Sequence, residues 1–340
     1  MNAVFENRLL SGWARLLPRG RQQLGAIHES DCELVPLGDG RLLALTVDAV
    51  DEELDVGLYR SATTAGRMAA VASLSDLAAV GADPIGLLLS VSLPREDAES
   101  VQMCIGEGVA AACAGAGTFV LGGDTSEASA LRIACVGVGT VPEGGVLRRV
   151  GLRPGDRRFA SGRLGTGAAL AAVKLLGIEA TDFDEQFFAP PCRIAHGRAL
   201  RHVASACIDT SDGLIAAVDQ LARINGVAVH LAPDLSALLA PSVAEVRRSL
   251  GIGAFPLLAA AHGEFELVFG VPPGRLAVLA DVARALDWSP IALGSVRDGE
   301  GLYVGDASID GAKIRNLLRE SGGDLQRYVA SLVTLGRDLP

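Results

Sequence analysis

The sequence predicts an α/β (α+β) protein built from two mixed-sheet domains, and three observations carry that reading. Apolar runs of strand length alternate with longer stretches of helical spacing. At 340 residues the chain exceeds one average core. A turn-forming segment near the middle, "LRPGD" at 152–156, separates two halves that repeat the same grammar. The expected domains are therefore 1–150 and 151–340.

The elements follow in order. Residues 42–51, "LLALTVDAVD", alternate as a strand that ends at Asp48. Residues 60–80 have helical spacing with Ala, Met, Leu and Val on one face, and "GADP" stops that helix. "IGLLLSVSLP" reads as a buried strand, 97–117 as a second helix, and "TFVLGG" as a strand running into a glycine hinge. "LRIACVGVGTVP" completes the first half. In the second half the expected strands are "RRFASG", "ACID", "VAVHLA" and "FELVFGVP". The expected helices lie at 166–176, 193–205, from "SDGL" onward, and near 241–250.

Composition excludes several functions. Hydrophobic residues make up 49% and charged residues 21%, which suits a well-buried globular protein. The longest apolar runs are broken by Pro, Ser or Lys well short of the ~20 residues a membrane span needs. No basic segment followed by an apolar core opens the chain, so the expected location is cytoplasmic, with no membrane partner. The net charge of −10 and 4% aromatics argue against nucleic acid. An acidic protein still handles phosphates when metal cations stand between its carboxylates and the ligand. The six cysteines form no CxxC pair and read as reduced, mostly buried apolar residues.

Aspartates at the ends of apolar stretches are the chemistry-bearing feature. Asp31 precedes a strand in "HESDCELV", Asp48 closes "LALTVD", Asp124 ends "VLGGD", and Asp209 and Asp212 lie in "CIDTSDGL". Singly, Asp48 fits a strand-end turn and Asp212 an N-terminal helix cap. Asp76 is different. It sits on an otherwise apolar helix, where an unpaired carboxylate costs several kcal/mol to bury. Lys and Arg are sparse over 68–131, so a divalent cation is the economical counter-charge. Mg²⁺ takes such hard oxygen ligands together with substrate phosphates. Glycines beside Asp124 allow close backbone approach to a phosphate, and the helix start at 211–213 adds an anion-favouring dipole end.

Taken together, "SDC", "TVDAV", "SLSDLAAVGADP", "LGGDTS", "VLRRVGLRPGD", "SGRLGTGAA" and "IDTSDGL" resemble the thiamine-monophosphate kinase family. That family belongs to a group that includes aminoimidazole ribonucleotide synthetase and selenophosphate synthetase. The resemblance spans about residues 26–270. It implies a homodimer whose N-terminal domains pair their sheets into a barrel-like interface, with ATP and several Mg²⁺ between the domains. By matching position, it implies Asp31, Thr46, Asp48, Asp76, Asp124, Asp209 and Asp212 as magnesium ligands. Asp48, Asp76, Asp124 and Asp212 would be catalytic, and Gly122, Gly123, Asp124, Thr125, Arg149 and Ser211 would line the nucleotide phosphates. The implied reaction moves the γ-phosphoryl of ATP onto a small phosphorylated metabolite by metal-assisted positioning, without a covalent intermediate.

The chain departs from the family pattern mainly where substrate is read. "ESD" replaces "GDD", so Ser30 stands for one carboxylate, and Val47 replaces a metal-contacting Thr. Asp55 falls where the family places a substrate-contacting His. "GGEDYEL" becomes "AHGEFEL", so the substrate Glu falls on Gly263, with Glu264 one place along. No Trp occurs in 319–340, where the family stacks one on thiamine. Either another acceptor or an ordinary thiamine-phosphate kinase with shifted substrate residues fits these changes. Among other residues, His262 lies beside the altered loop and reads as a packing histidine, and Arg148 with Arg149 offers a phosphate clamp.

Overall fold

A computed structural model describes residues 3–178, 183–337 and 339. The chain opens with helix α1 (Phe5–Leu16) and then builds a five-stranded sheet from β1 (Glu33–Pro36), β2 (Arg41–Ala49), β3 (Asp83–Pro94), β4 (Val120–Ala128) and β5 (Arg132–Pro142). The strand order is β1-β2-β5-β3-β4, antiparallel except for the parallel β3/β4 pair. Helices α2 (Asp51–Asp55), α3 (Ala62–Ala79) and α4 (Ala98–Ala116) belong to this half.

The second sheet has seven strands: β6 (Arg157–Ala160), β7 (Ala206–Asp209), β8 (Ala228–Leu231), β9 (Leu267–Val271), β10 (Ile291–Arg297), β11 (Gly301–Val304) and β12 (Ala307–Ile309). Their order is β12-β11-β8-β10-β6-β9-β7. Around it lie α5 (Thr166–Leu176), α6 (Ile194–Leu200), α7 (Leu214–Asn225), α8 (Ala244–Leu250), α9 (Phe255–Ala259), α10 (Leu276–Ala285), α11 (Gly311–Glu320) and α12 (Leu325–Gly336). The fold is therefore α/β with two mixed sheets. No helix among the described residues is long and apolar enough to cross a membrane.

Helix α3 organises the molecule. Ser61 caps its start by accepting from Thr64 N, and it packs on α4, β2, β5, α6 and β7. It is therefore buried around most of its circumference rather than on the single face its spacing suggests. Leu74 and Leu77 are fully enclosed, each burial stabilising by about 1.5–3 kcal/mol. The hydroxyls and carboxylate of its last two turns thus sit between the two sheets.

Three local expectations change. "VLGGDTSEA" is continuous strand β4, not a hinge, and Leu121 is the extra residue of a bulge in its pairing with β3. Gly123 is needed for that pairing, because a Cβ there would lie 2.0 Å from the Leu89 carbonyl oxygen. Helix α6 stops at Leu200, whose carbonyl accepts from Val203 N and Ala204 N in a tight turn feeding β7. Helix α7 begins at Leu214 behind Gly213, so Asp212 lies in the preceding turn and caps nothing.

Candidate active site

The carboxylates meet where β2, α3 and β7 converge. On β2, Thr46 and Asp48 are two residues apart and so share one face. On α3, Asp76 receives a short hydrogen bond from the Thr46 hydroxyl. Ser75 donates to Asp209 Oδ2 at the end of β7, and Ser211 donates to Asp209 Oδ1 at 3.0 Å. The Ser73 hydroxyl lies 2.8 Å from the Cys135 carbonyl and 3.3 Å from Asp48 Oδ2. Asp31, just ahead of β1, takes both Nε (3.2 Å) and Nη2 (2.8 Å) of Arg149 on one oxygen. A side-chain bond from Asn225 Nδ2 to the Arg149 carbonyl and a backbone bond from Arg149 N to Glu29 O hold that arginine's main chain in place.

Asp31, Asp76 and Asp209 each offer an oxygen within 4.8 Å of the others. The electrostatic consequence is large. Burial, then the charge of Asp31, pushes the Asp209 carboxyl up to about 7. Asp76 is driven well above the usual carboxylate range by removal from water, then by Asp48, Asp209 and Asp31. Asp48 is raised by burial and by Asp31, against the Ser73 hydrogen bond. One arginine faces three carboxylates, and Asp31 Oδ2 is buried with no hydrogen-bond partner among the described residues. An all-oxygen donor set with excess negative charge and a free buried lone pair fits a hard divalent cation.

Asp212 and Ser211 line a cleft beside this cluster, together with Arg149, Asp209 and His28. His28 Nε2 is also buried without a partner among the described residues. Gly122, Gly123, Asp124 and Thr125 lie elsewhere, exposed on edge strand β4. Three strand spacings separate β4 from β2, roughly 14 Å. One chain therefore does not bring Asp124 to the Asp31–Asp76–Asp209 group.

The altered substrate positions have physical causes. A Cβ on Gly263 would lie 1.5 Å from the Thr210 carbonyl, and Gly263 N donates to the Ser211 carbonyl. No glutamate fits there in this backbone. Glu264 turns inward instead and accepts from Gly165 N (2.7 Å) and Thr210 Oγ1 (3.3 Å). Burial pushes it up to about 7. Asp55 is ion-paired to Arg132 at 2.8 Å. His262 is enclosed between Tyr59 and Phe188, and burial holds it down to about 4. Arg148 pairs with Glu29 at 3.5 Å.

Comparison with known proteins decides the family. Residues 29–141 match the N-terminal domain of AIR synthase related proteins. Thiamine-monophosphate kinase of Salmonella typhimurium is 32% identical over 249 residues, 71% of this chain and 75% of that one. The chain belongs to the thiamine-monophosphate kinase family. It is an ATP-dependent kinase of that family. The thiamine-monophosphate kinase of Halobacterium salinarum is 31% identical, covering 77% of this chain and 85% of its own. A solved structure described as AaThiL complexed with AMPPCP and TMP shares the fold, with a TM-score of 0.75. It is 24% identical and covers 90% of this chain and 94% of its own.

Sequence reasoning missed Ser73 and Ser75, although "SLSDL" places hydroxyls three and one residues before Asp76. It also missed Asn7, Gln220 and Arg315, which line the cleft from α1, α7 and α11. No local signal marks those three.

Proposed function

We propose that this kinase moves the γ-phosphoryl group of ATP, with Mg²⁺, onto a small phosphomonoester to give a diphosphate, and that thiamine monophosphate is the acceptor. The observation that carries the reading is the convergence of Asp31, Asp76 and Asp209 within 4.8 Å. The family relationship and the AMPPCP and TMP bound to a protein of the same fold support it.

In this reading Asp31, Asp48, Asp76, Asp209 and Asp212 hold Mg²⁺, with Thr46 as a neutral oxygen. Bound Mg²⁺ neutralises charge on the transferring phosphoryl group. Arg149 orients Asp31 and adds a guanidinium at the phosphate end of the cleft. Ser75 and Ser211 donate to Asp209 and so fix its carboxylate plane. The site needs no nucleophilic side chain, because the acceptor's phosphate oxygen attacks and the chain supplies position and charge.

Asp124 enters through a homodimer. The outer edge of β4 is bare, and Phe119, Val120, Leu121, Leu88 and Met103 are exposed around it. Such an edge pairs readily with another strand. A second copy covering it would bring Gly122, Gly123, Asp124 and Thr125 to a nucleotide held by its partner.

A different acceptor is the second reading, favoured by Gly263, where the backbone excludes the family's glutamate. Incubation with labelled ATP, Mg²⁺ and thiamine monophosphate tests the first reading. It predicts ADP and thiamine diphosphate. ADP with free phosphate would indicate a synthetase of the wider group, and nucleotide binding without turnover would indicate a different acceptor or a binding protein.

A further inference from the structure

The cleft beside Asp209 and Asp212 is roofed by the N-terminal helix, and the roof is fastened to the far end of the chain. Asn7 of α1, 1% exposed, lines the cleft with Arg149, Asp212, Gln220 and Arg315. The first turn of α1 is tied to α11 by four contacts. Phe5 N donates to Asn316 Oδ1 at 2.8 Å, and Asn316 Nδ2 donates to the Ala3 carbonyl at 2.9 Å. The Arg319 guanidinium lies 3.5 Å from the Phe5 ring centre. Arg315 Nη2 meets Glu6 Oε2 at 3.3 Å. Past that turn, Leu9, Trp13 and Leu16 at i, i+4 and i+7 form an exposed apolar stripe.

Arg315 is the unusual member. Its side chain is only 9% exposed, and it donates to Gln220 Oε1 at 2.6 Å. Asp219 lies 3.7 Å away, but both Asp219 oxygens already accept from Arg223 Nε at 2.8 Å. Two guanidiniums thus share Asp219, and Glu6 supplies the remaining negative charge. Glu6 itself is exposed, so it leaves at little cost. A guanidinium fork accepts carboxylate and phosphate in the same geometry.

We propose that Arg315 binds the phosphate of the acceptor, and that Glu6 occupies that guanidinium as a carboxylate stand-in until the ligand displaces it. This rests on the phosphotransfer reading above. Size gives the displacement its consequence. The roofed cleft encloses about 70 Å³, enough for a phosphate group but far below the roughly 300–1,000 Å³ that a whole small-molecule ligand fills. A ligand that breaks the Glu6–Arg315 pair also unfastens α1, and the cleft opens for the rest of the acceptor.

The pair has an unusual mutational signature. A latch that only holds structure loses function whichever partner is removed. A competing stand-in gives opposite signs. Titration with inorganic phosphate at constant ionic strength, read by Trp13 emission against the buried Trp288, measures binding without turnover. Glu6→Gln should tighten phosphate binding about three- to tenfold and lower the acceptor KM in parallel, leaving the KM for ATP unchanged. Arg315→Gln should weaken both by about tenfold or more, with Arg315→Lys intermediate. Equal-sign effects, or no change in Glu6→Gln, overturn the proposal. Glu6→Gln alters an exposed side chain, so its result stands even where Arg315→Gln folds poorly. Opposite signs in phosphate binding, with no diphosphate formed from thiamine monophosphate, would uphold Arg315 and reject that acceptor.

Discussion

Asp209 shows at the residue scale what the site asks of this chain. Its carboxyl titrates near 7 when folded, against an ordinary value of 3.8. The folded state therefore holds a proton that the unfolded state has lost between about pH 4 and 7, and stability falls as pH rises through that window. Asp209→Asn removes the penalty. Metal-free Asp209→Asn should exceed wild type by about 1–2 kcal/mol at pH 8 and match it near pH 4, while its kcat/KM drops at least about a hundredfold. Denaturation at the two pH values reads the first effect, and a difference that does not change with pH would contradict it. Arg158 makes a parallel case outside the site. It is fully buried on β6, and none of its guanidinium nitrogens has a partner among the described residues. Burial holds its pKa down to about 10. Replacing an unpaired buried charge by a similar apolar volume is stabilising, so Arg158→Met should raise the denaturation free energy by about 1–3 kcal/mol. A loss of stability in urea titration would contradict this.

At the element scale, α3 and the turn after β7 do most of the positioning. Glu185 reaches across to the start of α3 and accepts from Arg60 N (2.8 Å) and Ser61 N (3.1 Å). Glu185→Ala should cost about 1–2 kcal/mol by leaving both amides unmatched, with little change in turnover. Gly263→Ala should cost more than about 3 kcal/mol, because its methyl would overlap the Thr210 carbonyl and shift the turn that carries Ser211 and Asp212. Much at this scale was legible beforehand. The strands ending at Asp48 and Asp209 show themselves by alternation and turn residues, and Asp76 stands out because charge interrupts an apolar helix. β4 was misread at its end because two adjacent glycines resemble a hinge. Leu121 bulges out of β4 only because of its pairing with β3, and the Leu89 carbonyl that requires Gly123 belongs to β3, so no local pattern records either.

At the scale of the whole molecule, the parts that resist sequence reading are those joined across the chain. Glu6 meets Arg315 over 309 positions, and neither belongs to a motif. Asp124, by contrast, is conspicuous in sequence yet sits on edge strand β4, three strand spacings or roughly 14 Å from β2 within one chain. The dimer account resolves this and predicts complementation. Asp76→Ala and Asp124→Ala homodimers should each be inactive. Mixing their subunits should restore activity in the heterodimer, which then contains one intact site. No recovery after subunit exchange, confirmed by differently tagged chains, would place Asp124 outside the reaction. The most direct test of the central claim is Mn²⁺ binding, followed by electron paramagnetic resonance with a non-hydrolysable ATP analogue. The account predicts bound Mn²⁺ in wild type that is lost in Asp76→Asn and Asp209→Asn; binding that is absent, or unchanged in both variants, would contradict it.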